Sequence, residues 1–118
     1  MNHFEAQRIL TARAHAVLGL APGAERQRLR HAYHCRMLEH HPDRHPGAEA
    51  GAQREAALIN EAYGLLTGRL RKAELLHDET LAERVAGTPL AHIQGAPSYE
   101  EWVRDQFYDV SQHSIWPV

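Results

Sequence analysis

The sequence predicts an all-α protein built around two antiparallel helices, and three observations lead to this fold class. Every strong hydrophobic pattern repeats at the helical period, and no segment alternates with the period of two that a half-buried strand requires. Two long amphipathic segments flank a short loop that contains two prolines, which favours an antiparallel helical hairpin. The chain has 118 residues, so we expect one small domain with shorter helices beside the hairpin and a short helical C-terminal extension.

The first helix is predicted from about His3 to Leu18. Asn2 and Glu5 have the spacing of a capping box, and Gly19 supplies a C-terminal stop signal. The apolar residues of this segment fall on one helical face: Leu10, Ala14, Val17 and Leu18.

The second helix is predicted from about Glu25 to His40, because Pro42 disfavours helical geometry at His41. Arg36 lies at the edge of its buried stripe, where we expect the aliphatic stem to be buried and the charged end to reach water. The stripe itself repeats at helical spacing: Leu29, Ala32, Tyr33, Met37 and His40.

The third helix is predicted from about Gly51 to Leu66, and Thr67-Gly68 ends it. A short basic helix is predicted to follow from Arg69 to Leu76. The buried face of the third helix is expected to consist of Ala56, Ile59, Ala62, Tyr63 and Leu66.

Residues 79–118 differ in composition from the residues before them. They carry 2 Arg/Lys against 6 Asp/Glu and five of the eight aromatic residues, whereas residues 1–78 carry 11 Arg/Lys against 9 Asp/Glu. We therefore expect a domain over residues 1–78 and an acidic, aromatic-rich tail over residues 79–118. Three capping residues predict three short helical pieces within the tail: Thr80, Thr88 and Ser98.

The last helical piece of the tail has an apolar face that should dock on something. In one interpretation it packs back on the hairpin, which we favour because apolar faces are more often buried than exposed. In the other it is an exposed docking surface for a partner or client protein. The candidate interaction residues on this face are Tyr99, Trp102 and Phe107.

Composition and charge exclude several classes of protein. No apolar run is long enough to cross a bilayer, so no membrane partner is expected. The N-terminus has no signal-peptide core, which predicts a cytoplasmic protein. A net charge of −2 gives no overall positive field, so we expect no nucleic-acid partner. Cys35 is the single cysteine, which excludes an internal disulfide and a CxxC zinc module.

The stretch 38–47, LEHHPDRHPG, contains three histidines and raises the question of a metal site. His41 and His45 are four residues apart, but Pro42 and Pro46 keep them off one regular helix. A closed zinc site needs four ligands, and no cluster at standard spacing supplies them, so we expect no metal. The other candidate ligands lie together on the second helix: His31, His34 and Cys35.

His41 and Asp43 could also orient each other for acid–base catalysis. Such chemistry needs a nucleophile and an enclosing pocket, and neither a glycine-rich phosphate loop nor a pair of carboxylates accompanies them. We therefore expect neither an enzyme nor a bound cofactor.

A rigid recognition loop fits the same stretch better. Pro42 fixes the backbone direction, so His41 and Asp43 would be presented at a defined angle. An exposed Asp in this position can pair with an arginine of a partner. The preceding helix offers a basic approach surface to an acidic partner, formed by Arg26, Arg28, Arg30 and Arg36.

Several motifs together resemble the J-domain of DnaJ-type co-chaperones. His41-Pro42-Asp43 matches the HPD tripeptide of that family, Ala32-Tyr33 its AY pair on helix II, and INEAYGLL (59–66) its helix III pattern. VLGL (17–20) and RLRKAEL (69–75) resemble the end of helix I and the basic helix IV. The resemblance covers about residues 13–77 and is specific, because the motifs occur together at the family's spacing.

The resemblance implies a minimal J-protein that binds the ATP form of a DnaK-type chaperone and stimulates its ATP hydrolysis, which traps a client protein. His41, Pro42 and Asp43 would form the centre of the binding site. The basic contacts expected beside them are Arg26, Arg30, His34 and Arg44. The short tail argues against the iron–sulfur assembly co-chaperones of the same family, and a J-like adaptor for another protein is the alternative.

Four positions depart from the family pattern: His34 and Cys35 replace Lys or Arg, Arg36 replaces a core Leu, and Ala56 replaces a common Phe. The lower charge of the second helix predicts weaker electrostatic steering of the partner. Histidines titrate near neutrality when unperturbed, so we hypothesise that mild acidification raises the charge of this helix. The histidines concerned are His31, His34, His40 and His41.

Overall fold

Helices account for the regular structure of this protein. The computed structural model describes residues 3–109, which contain five α-helices, three short 3-10 turns and no β-strand. The α-helices are α1 (His3–Leu18), α2 (Arg26–His40), α3 (Glu49–Leu66), α4 (Glu79–Ala86) and α5 (Tyr99–Asp109). The 3-10 turns are Pro42–Arg44, Leu75–His77 and Leu90–His92. The predicted all-α fold class is confirmed.

α2 and α3 form the predicted antiparallel hairpin. The ring of Tyr33 stacks on the ring of Tyr63 with centroids 4.6 Å apart, and Nδ1 of His40 lies 2.6 Å from Oε2 of Glu55. Positions nearer the C-terminus of α2 therefore contact positions nearer the N-terminus of α3, so the two helices are antiparallel. The turn Pro42–Arg44 lies at the end of the hairpin where the two helices are connected.

The core lies between the hairpin, α1 and α4. α1 packs against α3 and α4, and the apolar face predicted for it is buried throughout. The N-terminal cap predicted at Asn2 lies outside the described residues. The large, fully buried apolar side chains come from α1, α3, α4 and the turn before α4: Val17, Leu18, Leu58, Ile59, Leu76 and Val85.

Arg36 is completely buried, which corrects the expectation that its charged end would reach water. Its Nε donates to the carbonyl oxygen of Val17 at 2.8 Å, and its Nη1 donates to the carbonyl oxygen of Thr88. Nη1 also lies 3.3 Å from Oε1 of Glu39. The guanidinium thus finds acceptors at the end of α1, on α2 and in the tail, so it joins three parts of the chain.

The close approach of Arg36 to α1 requires a glycine at position 19. Gly19 has a φ of +75°, a left-handed conformation that L side chains rarely adopt. A Cβ at this position would lie 2.9 Å from Nη2 of Arg36 and 3.2 Å from Cγ of Leu90. The residue that ends α1 therefore also leaves room for the buried guanidinium.

The segment after α3 is not the short helix predicted from Arg69 to Leu76. Only Leu75–His77 adopts a helical turn, and this turn is of the 3-10 type. The carboxylate of Glu61 on α3 accepts the backbone N–H groups of residues 74–76 at 2.9–3.1 Å. Because these amides bond to a side chain instead of to preceding backbone carbonyls, an α-helix does not form there.

All three predicted helical pieces of the tail occur as helical structure, as α4, the turn Leu90–His92 and α5. The cap predicted at Ser98 is confirmed, since its Oγ accepts the N–H of the residue three positions on at 3.1 Å. The cap of α4 is Asp78 rather than Thr80, because Oδ1 of Asp78 accepts the N–H of Leu81 at 3.1 Å. Asp caps a helix at least as well as Thr, and here it begins the helix earlier than the sequence pattern indicated.

The aromatic face of α5 packs on α2, as in the first of the two interpretations of the tail. Trp102 is only 6% exposed. The ring of His31 meets the rings of Tyr99 and Trp102 edge-on, with centroids 5.6 and 5.9 Å apart, and the guanidinium of Arg28 lies 4.0 Å from the centroid of Tyr99. The side chain of Phe107 lies outside the described part of the chain.

Replacing Arg36 by alanine should destabilise the protein strongly. The Arg36→Ala variant leaves the carbonyls of Val17 and Thr88 without a donor and Glu39 without its buried partner, so we expect the free energy of unfolding to fall by about 3–5 kcal/mol. Urea denaturation followed by circular dichroism measures this change. Arg26→Ala, at an exposed position of the same helix, is the matched control and should shift stability by no more than about 0.5 kcal/mol. Equal effects of the two substitutions would contradict the structural role of Arg36.

Candidate partner-docking site

The tripeptide His41-Pro42-Asp43 forms a tight turn directly after α2. His41 is extended, with φ −63° and ψ 135°, because a residue before proline avoids helical geometry. Pro42 then starts a 3-10 turn, in which the N–H of Arg44 donates to the carbonyl of His41 at 3.0 Å. The N–H of Asp43 donates to Nδ1 of His41 at 3.2 Å, so a neutral His41 carries its proton on Nε2.

Both polar side chains of the tripeptide reach solvent. The side chain of His41 is 49% exposed and that of Asp43 is 90% exposed. Oδ2 of Asp43 lies 3.6 Å from Nδ1 of His41, so a carboxylate and an imidazole stand side by side at the tip of the hairpin. This arrangement suits recognition of a cationic group on another molecule.

The turn is fixed to the end of α2 by two side chains that follow it. Nη1 of Arg44 donates to the carbonyl of Leu38 at 2.9 Å, and Nε2 of His45 donates to the carbonyl of Glu39 at 2.7 Å. Nη1 of Arg44 also lies 3.5 Å from the carbonyl of Gln94 in the tail. These bonds occupy carbonyl groups that have no partner within the helix, so the loop is a continuation of α2 held at a set angle.

α2 has three flanks with different surroundings. The core flank is formed by Leu29, Ala32 and Arg36, which are buried. The tail flank is formed by Arg28, His31 and Cys35, which contact Tyr99 or Pro97. The remaining flank, here called the open flank, is formed by Arg26, Arg30 and His34 at four-residue spacing and leads toward His41.

The predicted partner contacts of α2 thus lie together on one flank. Arg26 is exposed, and Arg30 and His34 are half-buried. Among the described residues, no carboxylate pairs with Arg26 or Arg30, so their positive charges remain available to another molecule. Arg44 lies at the far end of the same helix, although part of its guanidinium is engaged by backbone carbonyls.

Two of the three candidate metal ligands of α2, His31 and Cys35, pack against the tail instead. Nε2 of His31 donates to the carbonyl of Pro97 at 2.8 Å, and Sγ of Cys35 lies 3.4 Å from the same nitrogen. Burial raises the pKa of the Cys35 thiol to about 11, so it stays protonated at neutral pH and is not a nucleophile. Among the described residues, no three His, Cys, Asp or Glu side chains come close enough together to hold a metal ion.

The structure narrows the hypothesis that four histidines of this region respond to acid. His31 and His40 are buried, each 8% exposed. Burial, and next the charge of His31, lower the pKa of His34. His41 is the exposed member of the set.

Sequence reasoning missed the functional environment of His40. It assigned this residue to the apolar stripe, whereas the ring lies between two carboxylates, 2.6 Å from Oε2 of Glu55 and 2.7 Å from Oε1 of Glu39. Glu39 is the neighbour of His40 in the sequence, so this contact could have been expected. The contact with Glu55 of α3 depends on how the two helices of the hairpin pack. No pattern in the sequence identifies it.

The protein is a helical hairpin with an exposed turn at its tip. Comparison with known proteins assigns the chain to a family. The model of the DnaJ domain matches residues 13–75, more than half of the chain. The chain therefore belongs to the DnaJ-domain family, whose members regulate a partner rather than act as enzymes.

The relatives found are larger proteins that share this region. An uncharacterized J domain-containing protein of Schizosaccharomyces pombe is 39% identical over 61 residues, which are 51% of this chain and 29% of the relative. The chaperone protein DnaJ of Xanthomonas axonopodis pv. citri is 39% identical over 72 residues (60% and 19%), and human DnaJ homolog subfamily C member 7 is 34% identical over 71 residues (57% and 14%). The chain thus spans less than a third of each of these relatives. No solved structure matches it.

The described part of the chain contains no helix that combines the length and the apolar character needed to span a bilayer.

The lowered pKa of His34 predicts that acid destabilises the fold. Folded His34 holds its proton less tightly than the unfolded chain does, so protonation costs folding free energy. Stability should therefore fall as pH drops below the ordinary histidine value of 6.5. Urea denaturation at pH 7.5 and 5.5 should show a smaller fall for His34→Gln than for the wild type.

His92→Gln, which replaces an exposed histidine, is the matched control for that experiment. The same fall in the wild type and in His34→Gln would refute the assignment to His34.

Proposed function

We propose that this chain is a co-chaperone that binds the ATP form of a DnaK-type chaperone and stimulates its ATP hydrolysis. The observation that carries the proposal is the exposed, rigidly held His41-Pro42-Asp43 turn at the end of a basic helix flank, in a chain of the DnaJ-domain family. Hydrolysis belongs to the partner, so the chain performs no chemistry itself.

The geometry supports binding through the turn and the open flank together. From Arg26 to His41 the helix axis extends about 22 Å, at 1.5 Å per residue, so the two ends of this strip reach well-separated parts of a partner. The arginines of the open flank would attract an acidic surface and set the orientation of the complex. Asp43 would then pair with a cationic group of the partner, where a charge-assisted bond is strong.

The rigidity of the turn supports a role in stimulation as well as in binding. Pro42 limits the backbone conformations of the turn, and the bonds of Arg44 and His45 to α2 restrain it further. A loop that is ordered before binding loses little conformational entropy when the complex forms. More of the interaction energy is then available to shift the partner toward its hydrolysing conformation.

We also propose separate roles for the two parts of the chain. Residues 1–78 form the J-domain and residues 79–118 the tail, and Pro97 and Tyr99 of the tail pack on the tail flank of α2, away from the open flank. The proposed chaperone site therefore stays accessible while the tail is in place. The client protein would be a folding or assembly substrate of the partner chaperone, and neither nucleic acid nor a membrane is a partner.

Replacing His41 tests the central claim. In single-turnover ATP hydrolysis by a purified DnaK-type chaperone, the wild-type protein should accelerate the reaction and His41→Gln should not. Gln is similar in size and retains a hydrogen-bonding group, so the fold should be preserved, which circular dichroism checks. Equal stimulation by the two proteins, or none by the wild type, would reject the co-chaperone function.

Two arginines of α2 test which flank binds. Arg30→Ala removes a charge from the open flank and should raise the concentration needed for half-maximal stimulation about five- to tenfold, with a weaker salt dependence. Arg28→Ala, two residues away on the tail flank, is the matched control and should change it less than about twofold. A larger effect of Arg28→Ala than of Arg30→Ala would mean that the chaperone binds the tail flank, and it would contradict binding to the open flank.

A further inference from the structure

His40 lies directly before the proposed chaperone-binding turn and is enclosed by charged groups. It is the last residue of α2 and is 8% exposed. Nδ1 lies 2.6 Å from Oε2 of Glu55 on α3, and Nε2 lies 2.7 Å from Oε1 of Glu39 on α2. The contact with Glu55 is a hydrogen bond, whereas the contact with Glu39 is an ion-pair distance without hydrogen-bond alignment.

The hydrogen bond to the Glu55 carboxylate requires a proton on Nδ1, and the 2.7 Å contact with Glu39 is attractive only when Nε2 also carries a proton. A neutral imidazole has one N–H and one nitrogen with a lone pair. If His40 were neutral, a bare ring nitrogen would face a carboxylate oxygen at 2.7 Å or less, and two electron-rich atoms at that distance repel each other. Protonation of both nitrogens turns the two contacts into attractive ones.

The two carboxylates that contact His40 are compensated best when its ring is positive. Arg36 and Glu39 pair within α2 at 3.3 Å, and Glu55 is otherwise approached by Arg84 of α4 at 3.8 Å. Arg84 is 62% exposed, so water screens its charge, whereas the side chains of Glu39 and Glu55 are 21% and 14% exposed. Two poorly solvated carboxylates therefore face Arg36 and His40, and a neutral His40 would leave Glu55 with only the solvent-screened charge of Arg84.

This group of charges determines how the turn leaves α2. Glu39 also provides the backbone carbonyl that accepts Nε2–H of His45, the residue that follows the turn. Glu55 connects the same end of α2 to α3. The position and direction of the last turn of α2 therefore depend on the ring that joins the two carboxylates.

We propose that His40 is a positioning residue for the docking turn: its ring, protonated on both nitrogens, joins Glu39 of α2 to Glu55 of α3 and fixes the direction in which His41-Pro42-Asp43 is presented. His40 itself has no contact with the partner in this scheme. The effect on chaperone stimulation rests on the proposed function, whereas the state of the ring and its effect on the turn do not.

The protonation of the ring is measured directly by NMR of the wild-type protein labelled with ¹⁵N on its histidine rings, at pH 7. We expect both ring nitrogens of His40 to show the signals of a protonated, proton-bearing nitrogen. The pattern of a neutral ring, with one protonated and one bare nitrogen, would overturn the proposal.

The positioning role is measured with Glu55→Gln, which keeps the size of the side chain and an oxygen that can accept from Nδ1 but removes the charge. We expect the backbone amide signals of His41 and of residues 43–45 to shift, and the concentration for half-maximal chaperone stimulation to rise about fivefold. Glu83→Gln, an exposed carboxylate of α4 outside this group, is the matched control and should change neither. His40→Gln is a second variant in case Glu55→Gln does not fold, and it should have the same effects.

The outcomes separate this inference from the proposed function. If His41→Gln abolishes stimulation while Glu55→Gln and His40→Gln match the wild type, His40 is not a positioning residue and the co-chaperone function stands. If the wild type does not stimulate the chaperone but the ring is doubly protonated and the turn shifts in Glu55→Gln, the proposed function fails and the positioning of the turn stands.

Discussion

The buried guanidinium of Arg36 is the interaction on which the arrangement of this protein depends. The last carbonyls of α1 have no partner within their own helix, and the carbonyl of Thr88 lies in the tail, between α4 and the turn Leu90–His92. Arg36 donates to acceptors at both places, and Gly19 leaves the space that this requires. Burial lowers the pKa of Arg36 and Glu39 acts in the opposite direction, so the carboxylate helps to keep the buried group charged. A leucine could fill the same volume but could satisfy neither carbonyl.

The attachment of the tail explains why α2 departs from the family pattern. The tail lies over the flank that contains Cys35, whose Sγ is 4.0 Å from the carbonyl of Pro97, and this side chain is 1% exposed. A lysine or arginine there would have to lose its hydration beneath the tail. A small, weakly polar side chain avoids this cost. The basic character of the helix is retained on the open flank, where Arg26 and Arg30 remain accessible.

Much of the fold could be predicted from local sequence signals. The bounds of α1, α2 and α3 differ by two residues or fewer from the predicted ones, and Gly19, Pro42 and Gly68 mark the ends of these helices through local sterics. The exposed His41 and Asp43 follow from the same proline. The errors arose where a residue distant in sequence decides the outcome: Glu61 binds the amides of residues 74–76 and replaces a predicted helix, and α3 supplies the partner of His40. A hydrophobic pattern records which face is buried, but not which polar groups meet inside.

The local and distant constraints meet at the turn His41-Pro42-Asp43, and the contacts of Arg44 show both. Arg44 follows the HPD tripeptide and the family resemblance makes it a partner contact, yet its Nη1 bonds to the carbonyl of Leu38. A guanidinium has five N–H groups, so Arg44 can hold the turn against α2 and still offer donors to a partner. A lysine would supply the charge, but its ammonium group lacks the planar set of donors that can bond to Leu38 and to a partner at the same time. The turn is thus restrained before it by His40, within it by Pro42 and after it by Arg44 and His45. Restraint from both sides is what allows two exposed side chains on a short loop to present one geometry to a partner.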